Sequence, residues 1–270
     1  MDSIWYLLLC GLMGVQGGMG VAVMHATFEH IWYHFLDWLH RKEYIQRLAP
    51  SIKVTQNQYF KESFWAVAVG SMPVSAAGFY LRHGFWNRCL FSDDIVGSLL
   101  FTWFVMVLHD AYFFAVHSFM HLCKSVYKRV HQWHHSTNGD LTAFNTAYGD
   151  ILDIAFTFGP FYAALVAYVY NQSSWNALDV ICLMWAVNGV DIMGHCGYDL
   201  PVWIYASGSL GVLLAPFAQR PKHHYIHHLD PRYNRSLYFT WWDRLAGTFR
   251  ENHPKVVNDI YATPWSGKEL

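Results

Sequence analysis

Charge is scarce in this chain. Only 14% of its 270 residues are Asp, Glu, Lys or Arg, against about 25% in soluble globular proteins, and that shortage excludes an ordinary water-facing surface. Basic excess is missing as well. Eighteen Lys and Arg stand against 19 Asp and Glu, giving a net charge of -1 and a pI near 7.0, so there is no concentrated cationic face to release counterions from a nucleic acid. The five cysteines, Cys10, Cys89, Cys123, Cys182 and Cys196, are odd in number and include no CxxC pair. A disulfide scaffold or zinc ribbon is therefore excluded as the organising principle. Internal repeats, low-complexity tracts and Gly/Ser linkers are also missing, which leaves one membrane-embedded unit rather than a string of modules.

What is present in quantity is apolar bulk and histidine. Hydrophobic residues make up 54% and aromatics 18%, yet the mean hydropathy is only +0.13 because 17 histidines count as polar without adding formal charge. Ser3 to Met24 carries no charge and is long enough to cross about 30 Å of hydrocarbon as a helix. With no basic segment before it and an apolar run too long for a signal peptide, it reads as a retained span. Further spans are expected at Ser63–Leu81, Ile95–Val116, Ile154–Tyr170 and Trp175–Met193, the last two forming a helical hairpin whose second arm is weakened by Asp179 and Asp191. Gly208–Ala218 is too short to span and is expected as a buried or interfacial helix. His25, His30, His34 and His40, with Trp32 and Trp38, are expected on a juxtamembrane amphipathic helix. The expected fold class is thus all-α, an integral membrane bundle of about four or five transmembrane helices with a histidine-rich helical cap.

If all five spans cross, residues 25–62, 117–153 and 194–270 share one side and hold 16 of the 18 Lys and Arg, leaving only Arg82 and Arg88 opposite. By the positive-inside rule that side is cytosolic. Most of the histidines gather there. His117 and His121 form HxxxH, His131, His134 and His135 form HxxHH, and His224, His227 and His228 form a second HxxHH. At helical spacing, positions i, i+3 and i+4 share a face, so each group can present two or three imidazoles to a common point. Eight imidazoles exceed the three or four that a single zinc site uses and suit two ions, while ligand type alone leaves zinc, copper, iron and nickel open.

Asp110 with HSFMH (His117–His121), HQWHH (His131–His135), GHCGYDLP (Gly194–Pro201), HYIHH (His224–His228) and WWDRLAGTF (Trp241–Phe249) resembles the fatty acid hydroxylase superfamily of membrane di-iron enzymes, and within it the sterol branch. The resemblance divides the chain into an N-terminal transmembrane region (1–94), the hydroxylase-like domain (95–250) and a tail (251–270). It implies two iron ions held by His117, His121, His131, His134, His135, His195, His224, His227 and His228. O2 would be the co-substrate, with electrons from NAD(P)H through cytochrome b5 and its reductase. The implied activity is hydroxylation or desaturation of a lipid in the endoplasmic reticulum membrane, a sterol first and a fatty acyl lipid or sphingolipid second, with no general acid or base beyond the metal centre. His195 enters only through GHCGYDLP. Asp191 lies where some relatives place another histidine, to complete the shell or orient a ligand. Many relatives also carry HPxE after the second cluster, whereas this chain reads TAYGD at Thr146–Asp150, so Asp150 is a candidate stand-in for the glutamate. Asp110 and Asn234 are further candidates for supporting the ligands.

Two readings from other classes compete. A metal transporter would place its ligands within the spans along a path through the bilayer, whereas these clusters follow the spans on one face. A membrane zinc hydrolase would need three ligands and an open position, fewer imidazoles than are present.

Overall fold

The structure, a computed structural model, describes residues 2–48, 56–81, 89–91, 93–137, 140–171, 174–205 and 217–256. It is helical, with β1 (Gln46–Arg47), β2 (Cys89–Leu90), β3 (Trp175–Asn176) and β4 (Tyr198–Asp199) as two-residue strands. β1 pairs antiparallel with β4, and β2 pairs parallel with β3. These act as clasps at the ends of the helices.

Helix α1 runs unbroken from Asp2 to Arg41 and α2 from Gln56 to Leu81. The first span and the juxtamembrane segment expected to follow it are therefore one helix, since no Pro or Gly pair interrupts the run after Met24. His25 sits inside the bundle beside Glu29, whereas Trp38 stays 51% exposed at the outer end. The two helices lie antiparallel and close. A Cβ at Gly14 would come 2.7 Å from that of Ala76, and one at Gly17 would come 2.6 Å from that of Ser75. Small residues let helix backbones approach where no hydrophobic drive between helices operates.

α3 (Ile95–Leu122) is capped by Asp94, whose carboxylate accepts from Gly97 N at 2.8 Å. Its lipid face is a stripe at four-residue spacing, Val96, Leu100, Phe104 and Leu108, all more than half exposed. Its buried face carries Ser98, Thr102, His109, Asp110 and His117. That apolar-out, polar-in arrangement reverses the pattern of a soluble amphipathic helix and is what a bilayer selects. After Cys123 come a short helix α4 (Lys124–Val126), a π turn (Tyr127–His131) and 3-10 turns at His134–Thr137 and Ala143–Asn145.

α5 (Ile151–Thr157) and α6 (Gly159–Asn171) meet at a bend of 52°. α7 (Ala177–Gly194) returns alongside the pair, with Asp179 near its start bonded by Tyr168 near the end of α6 and with Leu183 and Val187 clustered with Phe161, as the expected hairpin requires. Asp179 does not break α7, because its carboxylate is bound by Ser98, Asn176 and Tyr168. Among the described residues three helices are long and apolar enough to cross a membrane, Leu8–Arg41 within α1, α3 and α7, or four if the bent pair counts as one span. α2 falls short of that measure. The small residues that let it approach α1, Ala68, Ser75 and Ala76, are weakly hydrophobic.

Beyond α7, Gly197 adopts φ 74°, with its backbone pressed on Leu141 O, a position that admits no side chain. The short helix α8 (Val202–Tyr205), the buried helix α9 (Pro221–Leu229) and α10 (Trp241–Ala246) complete the chain. Most of Gly208–Ala218 and of the 251–270 tail lies outside the described residues. One core cluster joins Trp32, Leu36 and Leu39 of α1 to Ile192 and Met193 of α7. Another joins Met106 and Phe113 of α3 to Leu183 and Val187 of α7 and to Leu237–Phe239. Between them lie the histidines.

Candidate metal centre

Each histidine arrives on a different local device. His117 and His121 are one turn apart on the last turns of α3, so both rings leave the same face. The π turn, closed by Gln132 N donating to Tyr127 O at 2.7 Å, widens the backbone and delivers His131. Such turns recur where a side chain must be re-aimed. The 3-10 turn carries His134 and His135, the end of α7 carries His195, and α9 carries His224, His227 and His228. α9 is polar but buried over eight of its nine residues. It is held at its start by Glu251, which bonds Lys222 at 2.7 Å and His223 at 3.0 Å, and by the buried Arg220–Asp199 pair at 2.9 Å.

The nine imidazoles form two groups. His117, His121, His131, His135 and His227 make one, and His134, His195, His224 and His228 the other, with ligand atoms within 4.8 Å of one another in each. The two HxxHH motifs do not each serve one point. Both are divided, with His131, His135 and His227 turned to the first group and His134, His224 and His228 to the second. Rings touch across the boundary, with His135 stacked on His228 at 4.6 Å and His131 on His134 at 5.3 Å.

Five rings donate Nδ1–H outward. His117 donates to Arg235 O at 2.7 Å, His134 to Tyr148 O at 2.9 Å, His195 to Asp191 O at 2.9 Å and His227 to Tyr233 O at 2.7 Å. His131 donates to the Asp153 carboxylate at 2.6 Å. Each such bond fixes the tautomer that leaves Nε2 bare and facing its group. Burial pushes the imidazole of His131 down to about 3, that of His134 to about 4 and that of His195 to about 3. It also holds His135, His224, His227 and His228 well below the ordinary value. All are neutral at pH 7.

Neighbouring Nε2 atoms stand 2.9–3.3 Å apart. Bare lone pairs at that distance repel unless a cation lies among them. Imidazole nitrogens bound at about 2.1 Å to one ion and at right angles to each other would lie about 3.0 Å apart, so the donor set fits a pair of transition-metal ions. A cavity of about 40 Å³ touches both groups, reaching His117 and His131 on one side and His134, His195 and His224 on the other, with Phe113, Phe158 and Leu237 as apolar wall.

The supporting acids are placed less as the sequence suggests. Asp191 lines the cavity and lies one turn before His195, with its carboxylate 3.5 Å from that ring's Nδ1. Asp150 caps α5 through Leu152 N at 2.8 Å, and the carboxylate that meets a histidine is Asp153, one turn on. Asp110 meets no ligand ring. It accepts from the backbone N–H groups of Leu237, Tyr238 and Phe239, while Asp243 accepts from those of Arg235 and Ser236, so the two acids hold the loop whose Arg235 carbonyl orients His117. Asn234, fully buried at φ 51°, bonds His223 O and both backbone groups of Arg250, tying α9 to the following segment. No sequence signal marked Asp153. It becomes visible only once α5 is packed beside the π turn.

Fold and site together define an α-helical membrane protein with a buried polyhistidine centre of two compartments. The model of the fatty acid hydroxylase family matches residues 102–248, more than half of the chain, and the chain belongs to that family. Among curated proteins it is similar to a cholesterol 25-hydroxylase-like protein of Danio rerio, 27% identical over 62% of this chain and 63% of that one. It is likewise similar to methylsterol monooxygenase 1 of Rattus norvegicus, 27% identical over 54% and 45%, and to a delta(7)-sterol-C5(6)-desaturase of Nicotiana tabacum, 24% identical over 93% and 88%. The chain thus spans less than two thirds of the first two relatives. No solved structure matches it significantly.

Proposed function

We propose that this chain is a membrane-bound non-haem di-iron oxygenase that hydroxylates or desaturates a lipid, a sterol before a fatty acyl lipid. The observation that carries the reading is the convergence of nine neutral imidazoles into one group of five and one of four. His117, His121, His131, His135 and His227 would hold one iron, and His134, His195, His224 and His228 the other. When bound, the iron pair supplies the redox chemistry that joins O2 reduction to oxidation of an unactivated C–H bond. Hydroxylation consumes one O2, two electrons and two protons and gives an alcohol and water; desaturation consumes the same and gives an alkene and two waters. An external electron donor is therefore required. NAD(P)H acting through cytochrome b5 and its reductase fills that role in this proposal, which sets the protein in the endoplasmic reticulum membrane with its site cytosolic; the positive-inside count supports that orientation.

The chain's own residues do three things here. The carbonyls of Arg235, Tyr148, Asp191 and Tyr233 and the carboxylate of Asp153 hold the rings in the ligating tautomer. Burial keeps them unprotonated. Phe113, Phe158 and Leu237 keep bulk water from the cavity where substrate carbon would sit. The sterol preference is supported by the names of the relatives, which are sterol oxidases and desaturases.

The deciding experiment is expression in a sterol-producing host with lipid profiling, together with metal analysis of the purified protein. About two iron atoms per chain are expected, with a new oxidised sterol in the extract. His134→Ala or His227→Ala should abolish the product while leaving membrane insertion intact. Full activity in either variant, or zinc without iron in protein from iron-replete cells, would overturn the reading.

A further inference from the structure

A second cavity, of about 50 Å³, lies between α1, α2, α6 and α7. It shares Thr146, Ala147, Ile154, Phe158 and Asp191 with the histidine cavity, so the two adjoin. Its wall is apolar except for a few groups, chiefly His25, Tyr162, Asn188 and Asp191. A mostly apolar cleft with a small convergent polar set is the usual form of a ligand site.

Two polar atoms at this place lack a hydrogen bond. His25 Nε2 lies at ion-pair distance from Glu29 Oε1, 3.3 Å, but outside hydrogen-bond geometry, and has no hydrogen-bond partner. Behind it Glu29 is wholly buried, with Oε1 taken by the Ser63 hydroxyl at 2.8 Å and Oε2 without a partner. Buried polar groups are nearly always satisfied, and unpaired ones in a protein interior call for a reason. None of these residues of α1 and α2 falls within the 102–248 family match.

We propose that this second cavity binds the hydroxyl group of a lipid alcohol through His25, Asn188 and Asp191, with Glu29 orienting His25. The carbons beside that hydroxyl, rather than the far end of the lipid, are thereby brought to the histidine cavity. The inference rests on the lipid-oxygenase reading and names its substrate class.

The chemistry selects an alcohol. A hydroxyl both accepts, as from an imidazole N–H, and donates, as to a carboxylate. An ether or ester can only accept. About 50 Å³ admits only about three or four water-sized groups, room for a hydroxyl end but not for a phospholipid headgroup, so the body of the lipid lies outside this cavity. The cavity borders Met24, 45% exposed on the outer surface of α1, which gives a lipid a route in from the bilayer. Proximity sets the site of oxidation. The Asp191 carboxylate is 3.5 Å from the His195 ring, so a hydroxyl held there lies within a few bonds of the carbon presented.

The test is saturation binding of tritiated cholesterol to the detergent-purified full-length protein, competed with unlabelled cholesterol and with cholesterol methyl ether. The ether should compete at least about tenfold more weakly in the unaltered chain, and His25→Phe or Glu29→Gln should bring the two competitors within about twofold. If His25→Phe does not fold, judged by gel filtration, Asn188→Leu replaces it with the same expectation. Equal competition in the unaltered chain, or no saturable cholesterol binding, overturns the alcohol site. The oxygenase reading stands or falls separately: an oxidised acyl lipid without cholesterol binding sinks this site alone, and a host with no oxidised lipid of any kind sinks the reading beneath it.

Discussion

At His131 one edge of the ring faces four other imidazoles and the opposite edge donates to Asp153 at 2.6 Å. A carboxylate in that place aligns the ring and strengthens it as a donor, and removing such a partner costs about 10–100-fold in metal affinity. Asp153→Asn should therefore weaken iron retention by about that factor while keeping the helical content. Competition with a chelator, read as iron remaining per chain, checks it, and unchanged retention would show that the carboxylate is idle. The nine histidines could be read from spacing and motif because their chemistry repeats along the chain. Asp153 could not, since nothing local distinguishes it from Asp150, and only the packing of α5 separates helix cap from ring partner. Acid response follows from the same burial. His131, His134 and His195 have folded values of about 3, 4 and 3 against an unfolded value near 6.5. The unfolded chain therefore binds more protons between those limits, so this stability is complete above pH 6.5 and lost as pH falls toward 3. The metal-stripped protein should show a melting temperature that is level from pH 7 to 8.5 and falls steadily below 6.5. A level profile down to pH 5 would contradict neutral buried rings.

Helix α3 shows what an element must reconcile here, with lipid on one face and polar groups on the other. Sequence hydropathy located it well but ended it at Val116, because His117 and His121 register as polar although they continue the buried face to Leu122. The same weakness of hydropathy misjudged α1, whose histidine-bearing second half was expected as a separate interfacial helix. Backbone continuity there is set by helix propensity and by packing on α2, neither of which hydropathy measures. Asp110 joins α3 to the loop that positions the Arg235 carbonyl. Its carboxylate satisfies three buried backbone N–H groups, and leaving even one such donor unpaired costs about 1–3 kcal/mol. Asp110→Ala should lower stability by about 3 kcal/mol or more, with Asp110→Asn less damaging because one acceptor oxygen survives. Thermal unfolding in detergent should rank the three proteins accordingly. If the alanine variant melts with the unaltered chain, the loop is held by other contacts.

Across the whole molecule, arginine and lysine carry the orientation. Helices α1, α3 and α7 and the bent α5–α6 pair are apolar enough to cross, and α2, packed antiparallel against α1 through Gly14 and Gly17, must return the chain, because β1 at the end of α1 pairs with β4 beyond α7 and so shares the face where α3 ends. All nine histidines meet at a single buried centre, which requires the ends of α3 and α7 and the whole of α9 to lie at the same membrane face. That geometric demand is independent of charge, yet it selects the side with 16 of the 18 basic residues. On the proposed topology, the positive-inside rule would put that face in the cytosol. Cys123 immediately follows α3 on this face and is not buried. Phe91, 81% exposed, lies beyond the other end of α3. In sealed microsomes a membrane-impermeant maleimide should label Cys123 directly. In a variant with the native cysteines replaced and Phe91→Cys introduced, labelling should appear only after permeabilisation. The reverse pattern would place the centre in the lumen, out of reach of cytosolic electron donors. Labelling of both positions in intact vesicles would mean that α3 does not cross, because the two ends of its 28 residues would then lie on the same side.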